Sequence, residues 1–369
     1  MPVYADAEPK AGTTQQSVHR RYYRPELDAL RFLAFFLVFI CHSMDASWGA
    51  LGVPVFFLLS AYLITELLLR EREATGTVDI KKFYVRRILR IWPLYFGVLL
   101  CGYAISQLSG AHVFHTPALL AYIFLSGNWY TALHGSLPWG LSPLWSIGIE
   151  EQFYLVWPCL ILFGGKKGIV IAATTLWLIC QVVVFTLSYR GASINPGIWN
   201  NSFNQLQYFA IGALISVALN RSMPAIRSWL RFLMVVGGLL IFVFADHLLQ
   251  ITGKAAAGTT FPAFLIVGLG ATLVLFGFLG CHISEKLQPI VFLGKISYGL
   301  YVFHHIVLAF TSRLDKAFLS HGIRHMSFVV NVPLTLALTI VVAMASYKYF
   351  ESPFLKLKSR FEVVKSRDI

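Results

Sequence analysis

Runs of close to 20 apolar residues follow one another through this chain, and about 20 such residues are what a helix needs to cross the roughly 30 Å hydrocarbon core of a bilayer. Spans are expected near 28–44, 51–69, 88–107, 143–163, 168–188, 204–220, 229–249, 259–280, 296–312 and 328–350, ten in all. The composition agrees, since 57% hydrophobic and 13% charged residues over 369 positions lie outside the range of ordinary soluble domains. The expected fold is therefore an all-α polytopic membrane protein. One further stretch, "PALLAYIFLSGNW" at 117–129, is too short for a crossing and has no Lys or Arg at either flank. It reads as a re-entrant or surface segment.

Basic residues orient the spans, because cytoplasmic loops hold the excess of Lys and Arg. With the N-terminus inside, 25 of the 30 basic residues fall on the inner side, and none occurs between 101 and 149. Both termini are then cytoplasmic and the expected location is a bacterial cytoplasmic (inner) membrane. The net charge of +13 reads as loops facing anionic membrane lipid, and no nucleic-acid partner is expected. Residues 1–23 are polar, lack the apolar core of a cleavable signal peptide and are expected to be a disordered tail. A single membrane domain is expected over 24–356, followed by a basic tail over 357–369. The five cysteines (Cys41, Cys101, Cys159, Cys180, Cys281) lie in or at the ends of apolar spans without C-x-x-C spacing, so neither a disulfide framework nor a metal site is expected. "HGIRH" at 321–325 has histidines at i, i+4 but no third ligand, so it does not change that reading.

Polar groups inside the spans mark where function should lie, since an ionisable side chain at membrane depth is costly unless paired or facing a polar cavity. In "RPELDALRFLAFFLVFICHS" (24–43) Arg31 and His42 are eleven positions apart. On a helix that is about 20° past three turns, so they share one stripe about 16 Å apart along the axis. Snorkelling of Arg31 to the inner headgroups and capping of the helix end by His42 would also account for them. In "PLWSIGIEEQFYLVWP" (143–158), Glu150 and Glu151 stand one to two turns into a helix. One of these carboxylates, set against His42 Nδ1, could hold the imidazole in the tautomer a general base needs; a structural hydrogen-bonding role for both stays open. "KKFYVRRILRIWP" (81–93) carries Arg86, Arg87 and Arg90. Arg87 and Arg90 share a face and suit bidentate phosphate binding, although anchoring at the inner surface would also place them there. "GKISYGLYVFHHIVL" (294–308) brings Lys295, Ser297, Tyr298, Tyr301, His304 and His305 to one span, with Tyr301 and His305 at i, i+4.

Together these segments resemble the acyltransferase-3 family, integral-membrane acyltransferases of bacteria that O-acetylate glycans and related acceptors. The resemblance runs over about 24–356 through seven ordered motifs: the four segments just quoted, "GVPVFFLLSAYLIT", "FAIGALIS" and "SYKYFESPF". It implies that Arg31 and His42 are the family's Arg-x10-His pair with His42 catalytic. Arg87 and Arg90 match its Arg-x-x-Arg motif associated with the acyl donor, and Glu150 matches the acidic position of its Trp-Ser-Leu-Ser-x-Glu motif. The implied donor is acetyl-CoA or another short acyl-CoA. Pro54 and Ala61 stand where the family commonly has Asp and Gly, which shifts the orienting of the site towards Glu150 or Asp45.

On this reading the CoA phosphates rest on Arg87, Arg90 and Arg31 at the inner mouth. The pantetheine arm runs outward, and His42 is either the base that takes a proton from an acceptor hydroxyl or the carrier of the acyl group. Glu151, Tyr301, His305 and Trp129 are the expected acceptor-side contacts. A carbohydrate acceptor is favoured, from exopolysaccharide, O-antigen or a lipid-linked sugar, because the outer loops are rich in aromatic residues; a secondary metabolite or a lipid is the alternative. A transporter would show an internal repeat of two halves, and none is visible. A non-catalytic assembly protein would leave Arg31 and His42 dispensable. A homo-oligomer stays open.

Overall fold

The computed structural model describes residues 23–110, 114–137, 140–249, 253–320 and 327–364. Most of the N-terminal tail, the "HGIRH" segment and residues 365–369 lie outside the described residues. Among the described residues thirteen α-helices follow in chain order: α1 (Pro25–Met44), α2 (Gly52–Thr75), α3 (Ile80–Leu108), α4 (Thr116–Ile123), α5 (Gly127–His134), α6 (Leu144–Tyr189), α7 (Ser202–Leu219), α8 (Ser228–Leu249), α9 (Thr260–Phe278), α10 (Gln288–Lys295), α11 (Ser297–Ser320), α12 (Ser327–Ala345) and α13 (Ser352–Ser359). Local chemistry sets several starts. Asp79 caps α3 by accepting from the Lys82 amide at 2.9 Å, and Asn201 caps α7 through the Phe203 amide. Proline occupies the first turn of α1, α4, α10 and α13, where its missing N–H costs no intrahelical bond.

Among the described residues, eight helices are long and apolar enough to cross a membrane. The pair α10 and α11, bent by 67° at Ile296, has the length and apolar composition of a broken span or a re-entrant loop. The α6 segment, 46 residues long, covers two of the expected spans as two helices that meet at Gly165, whose φ of 56° and ψ of −154° are not helical. Phe153 before that break and Gln181 after it both meet the middle of α7, at Phe209 and Gln207. Lys166 donates to Asn220 at the end of α7. The two halves of α6 therefore fold back as a hairpin with Gly165 at its tip, so the eight helices supply nine of the expected crossings, and the bent pair, counted as one span, supplies the tenth. The 117–129 segment forms α4 and the start of α5, each of eight residues and too short to span.

The core is built around α2, which packs against α1, α6, α7 and α9. Gly212 of α7 lies so close to α2 that a Cβ there would collide with the Leu58 carbonyl oxygen. Gly294 of α10 stands in the same relation to the Asp28 carbonyl of α1. Outward faces carry exposed Phe163, Ile171, Val182, Leu240 and Val341, the apolar surface a lipid-facing helix presents. The protein is thus an all-α, multi-pass membrane protein. The start of the expected basic tail from 357 packs on the bundle: α13 runs to Ser359, and the Phe361 carbonyl accepts from Arg86 at 2.8 Å.

Candidate active site

A cavity of about 220 Å³ runs into the bundle between α1, α2, α3, α6 and α11. Its lining runs from exposed Tyr23, with Arg24 and the C-terminal Lys358, Glu362 and Val364, to Phe56 and the buried Ser146 and Tyr301 at what we take as its inner end. Six basic side chains (Arg24, Arg31, Arg86, Arg87, Arg90, Lys358) face four carboxyls (Asp28, Glu71, Glu150, Glu362). The balance is positive, which suits a polyanionic ligand. One wall, supplied by Val53, Phe56, Phe57, Leu59, Leu63 and Ile64 of α2, is largely apolar.

The arginines differ in how far they are committed. Arg31 pairs with Asp28 at 2.5 Å, one turn back on α1. Arg86 is held by Glu71 at 3.1 Å as well as by the Phe361 carbonyl. Arg87 lies with its guanidinium 5.4 Å from the Phe83 ring and 5.3 Å from the Tyr154 ring, and its Nε is buried without a hydrogen-bond partner. Glu150 accepts from the Tyr154 hydroxyl at 3.1 Å and interacts electrostatically with Arg87, Arg90 and Arg31. Tyr154 in turn pairs with Ser60 of α2 at 2.5 Å.

Beyond the inner end lies a cluster of three imidazoles. His42 Nδ1 is 3.0 Å from His304 Nε2, and His304 Nδ1 is 2.6 Å from the Tyr301 carbonyl oxygen. The His305 ring meets the His42 ring edge-on at 4.8 Å. Tyr301 stands between the two regions: its hydroxyl pairs with Ser146 at 2.8 Å at the cavity end, while its carbonyl serves His304. Among the described residues, no group of three His, Cys, Asp or Glu side chains is arranged to hold a metal ion.

The acyltransferase-domain family matches residues 24–348, which includes every side chain of this cavity's helical walls from Arg24 to Tyr301. The chain belongs to this acyltransferase family. Its relatives include a peptidoglycan O-acetyltransferase of Listeria monocytogenes, 26% identical over 92% of this chain and 57% of the relative. A putative peptidoglycan O-acetyltransferase of Bacillus subtilis is 27% identical over 91% of this chain and 55% of its own length. A putative O-acetyltransferase of Staphylococcus aureus is 27% identical over 90% and 58%. The chain thus spans somewhat more than half the length of these relatives. No solved structure matches.

Against that background, the expected donor residues Arg31, Arg87 and Arg90 and the acidic Glu150 converge on one cavity. His42 does not line it, and its hydrogen-bond partner is His304, neither of the glutamates nor Asp45. Glu151 turns away from the cavity and accepts from Trp92 Nε1 at 3.2 Å. Adjacent helical residues point about 100° apart, so only one of the two glutamates can face inward. Tyr301 lies at the cavity end and His305 against His42. Trp129 is set apart, edge-on to Phe203 at 6.2 Å and outside the cavity lining. The sequence pattern missed His304 as the partner of His42 and Ser146 as the partner of Tyr301. The paired histidines of "HH" were the available signal, since neighbours on a helix face different sides and one of them had to face α1.

Proposed function

We propose that this protein is a membrane O-acyltransferase that moves an acetyl or other short acyl group from acyl-CoA to a hydroxyl of a carbohydrate acceptor. The observation that carries the reading is the convergence of Arg31, Arg87, Arg90 and Glu150 on a basic cavity whose inner end, Tyr301, touches the imidazole cluster of His42. The phosphates of acyl-CoA would rest on the arginines, and its pantetheine arm along the apolar α2 wall. Bidentate, planar donors fit phosphate oxygens, and a water-poor site strengthens each contact. The concentration of basic residues at the mouth supports a cytoplasmic opening, with the protein in the bacterial inner membrane.

The transfer balances simply. The acceptor oxygen attacks the thioester carbonyl and forms the new ester bond, His42 takes the hydroxyl proton, the carbon–sulfur bond breaks, and CoA leaves as the thiol after receiving that proton. The alternative in which His42 carries the acyl group between two such steps uses the same geometry. Names of the relatives support a glycan acceptor of the peptidoglycan type, and exopolysaccharide, O-antigen or a lipid-linked sugar would use the same chemistry. Purified protein in liposomes, given acetyl-CoA and candidate sugars, should release CoA over many turnovers only when an acceptor is present, with at most one CoA per site without it. His42→Ala should abolish release while leaving folded protein, and activity surviving that change would sink the assignment.

A further inference from the structure

Resting on that reading, we propose that His304 is the positioning residue of the site: it fixes which ring nitrogen of His42 is left free to act, and that nitrogen is Nε2. The argument is one of hydrogen-bond bookkeeping along a short chain. A backbone carbonyl oxygen can only accept, so the nitrogen of His304 that lies 2.6 Å from the Tyr301 oxygen, Nδ1, must carry a proton. Neutral imidazole has one donor and one acceptor nitrogen. His304 is buried at 1% exposure, surrounded by the rings of Phe35, His42, Tyr301 and His305, with no carboxylate hydrogen-bonded to it among the described residues. An imidazolium there would be an uncompensated buried charge. Its Nε2 is then bare and can only accept, so the proton in the 3.0 Å contact belongs to His42 Nδ1. His42 is held as the Nδ1–H tautomer, and its basic lone pair sits on Nε2.

The arrangement replaces the usual carboxylate behind a catalytic histidine by a neutral ring that is itself anchored to the backbone. Tyr301 makes the anchor informative, because one residue supplies both the cavity end, through its side chain, and the fixed acceptor, through its carbonyl. Any shift of α11 that moves the cavity end therefore moves the ring that aims His42. His305 does not take part in the chain: its Nδ1 is buried without a hydrogen-bond partner, and its ring meets His42 edge-on.

Two measurements on the full-length protein in detergent or liposomes test this. The first compares kcat and KM for acetyl-CoA in His304→Phe and His304→Gln, where the glutamine carbonyl oxygen can stand in for Nε2 as an acceptor. His304→Phe should lower kcat by about 100-fold, with KM for acetyl-CoA changed by less than about threefold, and His304→Gln should recover most of the loss. Equal activities of the two folded variants, or a wild-type kcat in His304→Phe, would overturn the proposal. The second needs no variant: wild-type protein is carboxymethylated with bromoacetate, and the modified His42 is released and compared with Nδ1- and Nε2-carboxymethylhistidine standards. Modification at Nε2 is expected, and modification at Nδ1 overturns the assignment. His42→Ala separates the two levels of inference. Transfer surviving in His42→Ala refutes the functional reading, whereas an inactive His42→Ala together with Nδ1 modification of the wild type refutes only the role of His304.

Discussion

Arg87 offers the sharpest test of how the cavity recognises its ligand. Its guanidinium lies between the rings of Phe83 and Tyr154 at 5.4 and 5.3 Å, and its Nε is buried and unpaired. Lysine at this position keeps the charge but loses both the planar group between the rings and the Nε donor. A hydrogen bond to a charged partner contributes about 1.5–3 kcal/mol. Taking about 2 kcal/mol for the lost contact with a phosphate oxygen, Arg87→Lys should weaken acetyl-CoA binding by about 30-fold. Arg86→Lys is the matched control, because Arg86 is already committed to Glu71 and the Phe361 carbonyl; its effect on acetyl-CoA affinity should be a few-fold at most. Kd is best measured by isothermal titration in a His42→Ala background, where turnover does not deplete the ligand. An Arg87→Lys affinity within about threefold of its parent, or equal losses in the two lysine variants, would show that the unpaired Nε is not a ligand contact.

Three further outcomes follow from the same geometry. Glu150→Leu removes the carboxylate that accepts from Tyr154 and interacts with three arginines, and should destabilise the protein by about 1–3 kcal/mol, read as a lower unfolding temperature in detergent; Glu151→Gln, which still accepts from Trp92, should leave acetyl-CoA affinity unchanged. Gly294→Val forces a side chain against the Asp28 carbonyl and should cost about 1–3 kcal/mol from overpacking, with a raised KM for acetyl-CoA because Asp28 holds Arg31. A double-mutant cycle of Tyr301→Phe and Ser146→Ala, scored by thermal unfolding, should give a coupling of about 1 kcal/mol for their 2.8 Å hydrogen bond; additive effects would mean that the bond contributes nothing to the closed end of the cavity.

The spans and the cavity arginines were legible in the sequence because they follow from local rules. Apolar length gives crossings, and Arg87 and Arg90 at i, i+3 must share a face of α3. The hairpin between the halves of α6 was legible too, since "GGKK" at 164–167 interrupts the apolar run with two glycines and two charges. The partner of His42 was not. His304 lies 262 positions away, and which of two adjacent histidines faces α1 depends on how α11 is rotated after its 67° bend from α10. The i, i+4 spacing of Tyr301 and His305 drew attention to His305, whose ring meets His42 edge-on, but gave no sign that His304 makes the hydrogen bond. The choice between Glu150 and Glu151 was undecidable for the same reason, because periodicity gives the angle between neighbours but not which one faces inward. Trp129 shows the limit of composition: an aromatic in an outer loop can be named from the sequence, but its edge-on contact with Phe203 and its place outside the cavity lining could not.

The Tyr301–Ser146 pair has a consequence for the membrane itself. A basic recess that stopped nowhere would be a leak for protons and anions, and the bilayer potential would drive it, at about 2.3 kcal/mol per elementary charge for each 100 mV. The recess here reaches a tyrosine and a serine bonded to each other, with the His42 and His304 rings packed beyond them, so bonded side chains rather than open space separate it from the imidazole cluster. If acyl transfer occurs across this septum, the nucleotide and its phosphates never have to pass it. What changes sides is a small uncharged acyl group, on which the membrane potential does no work.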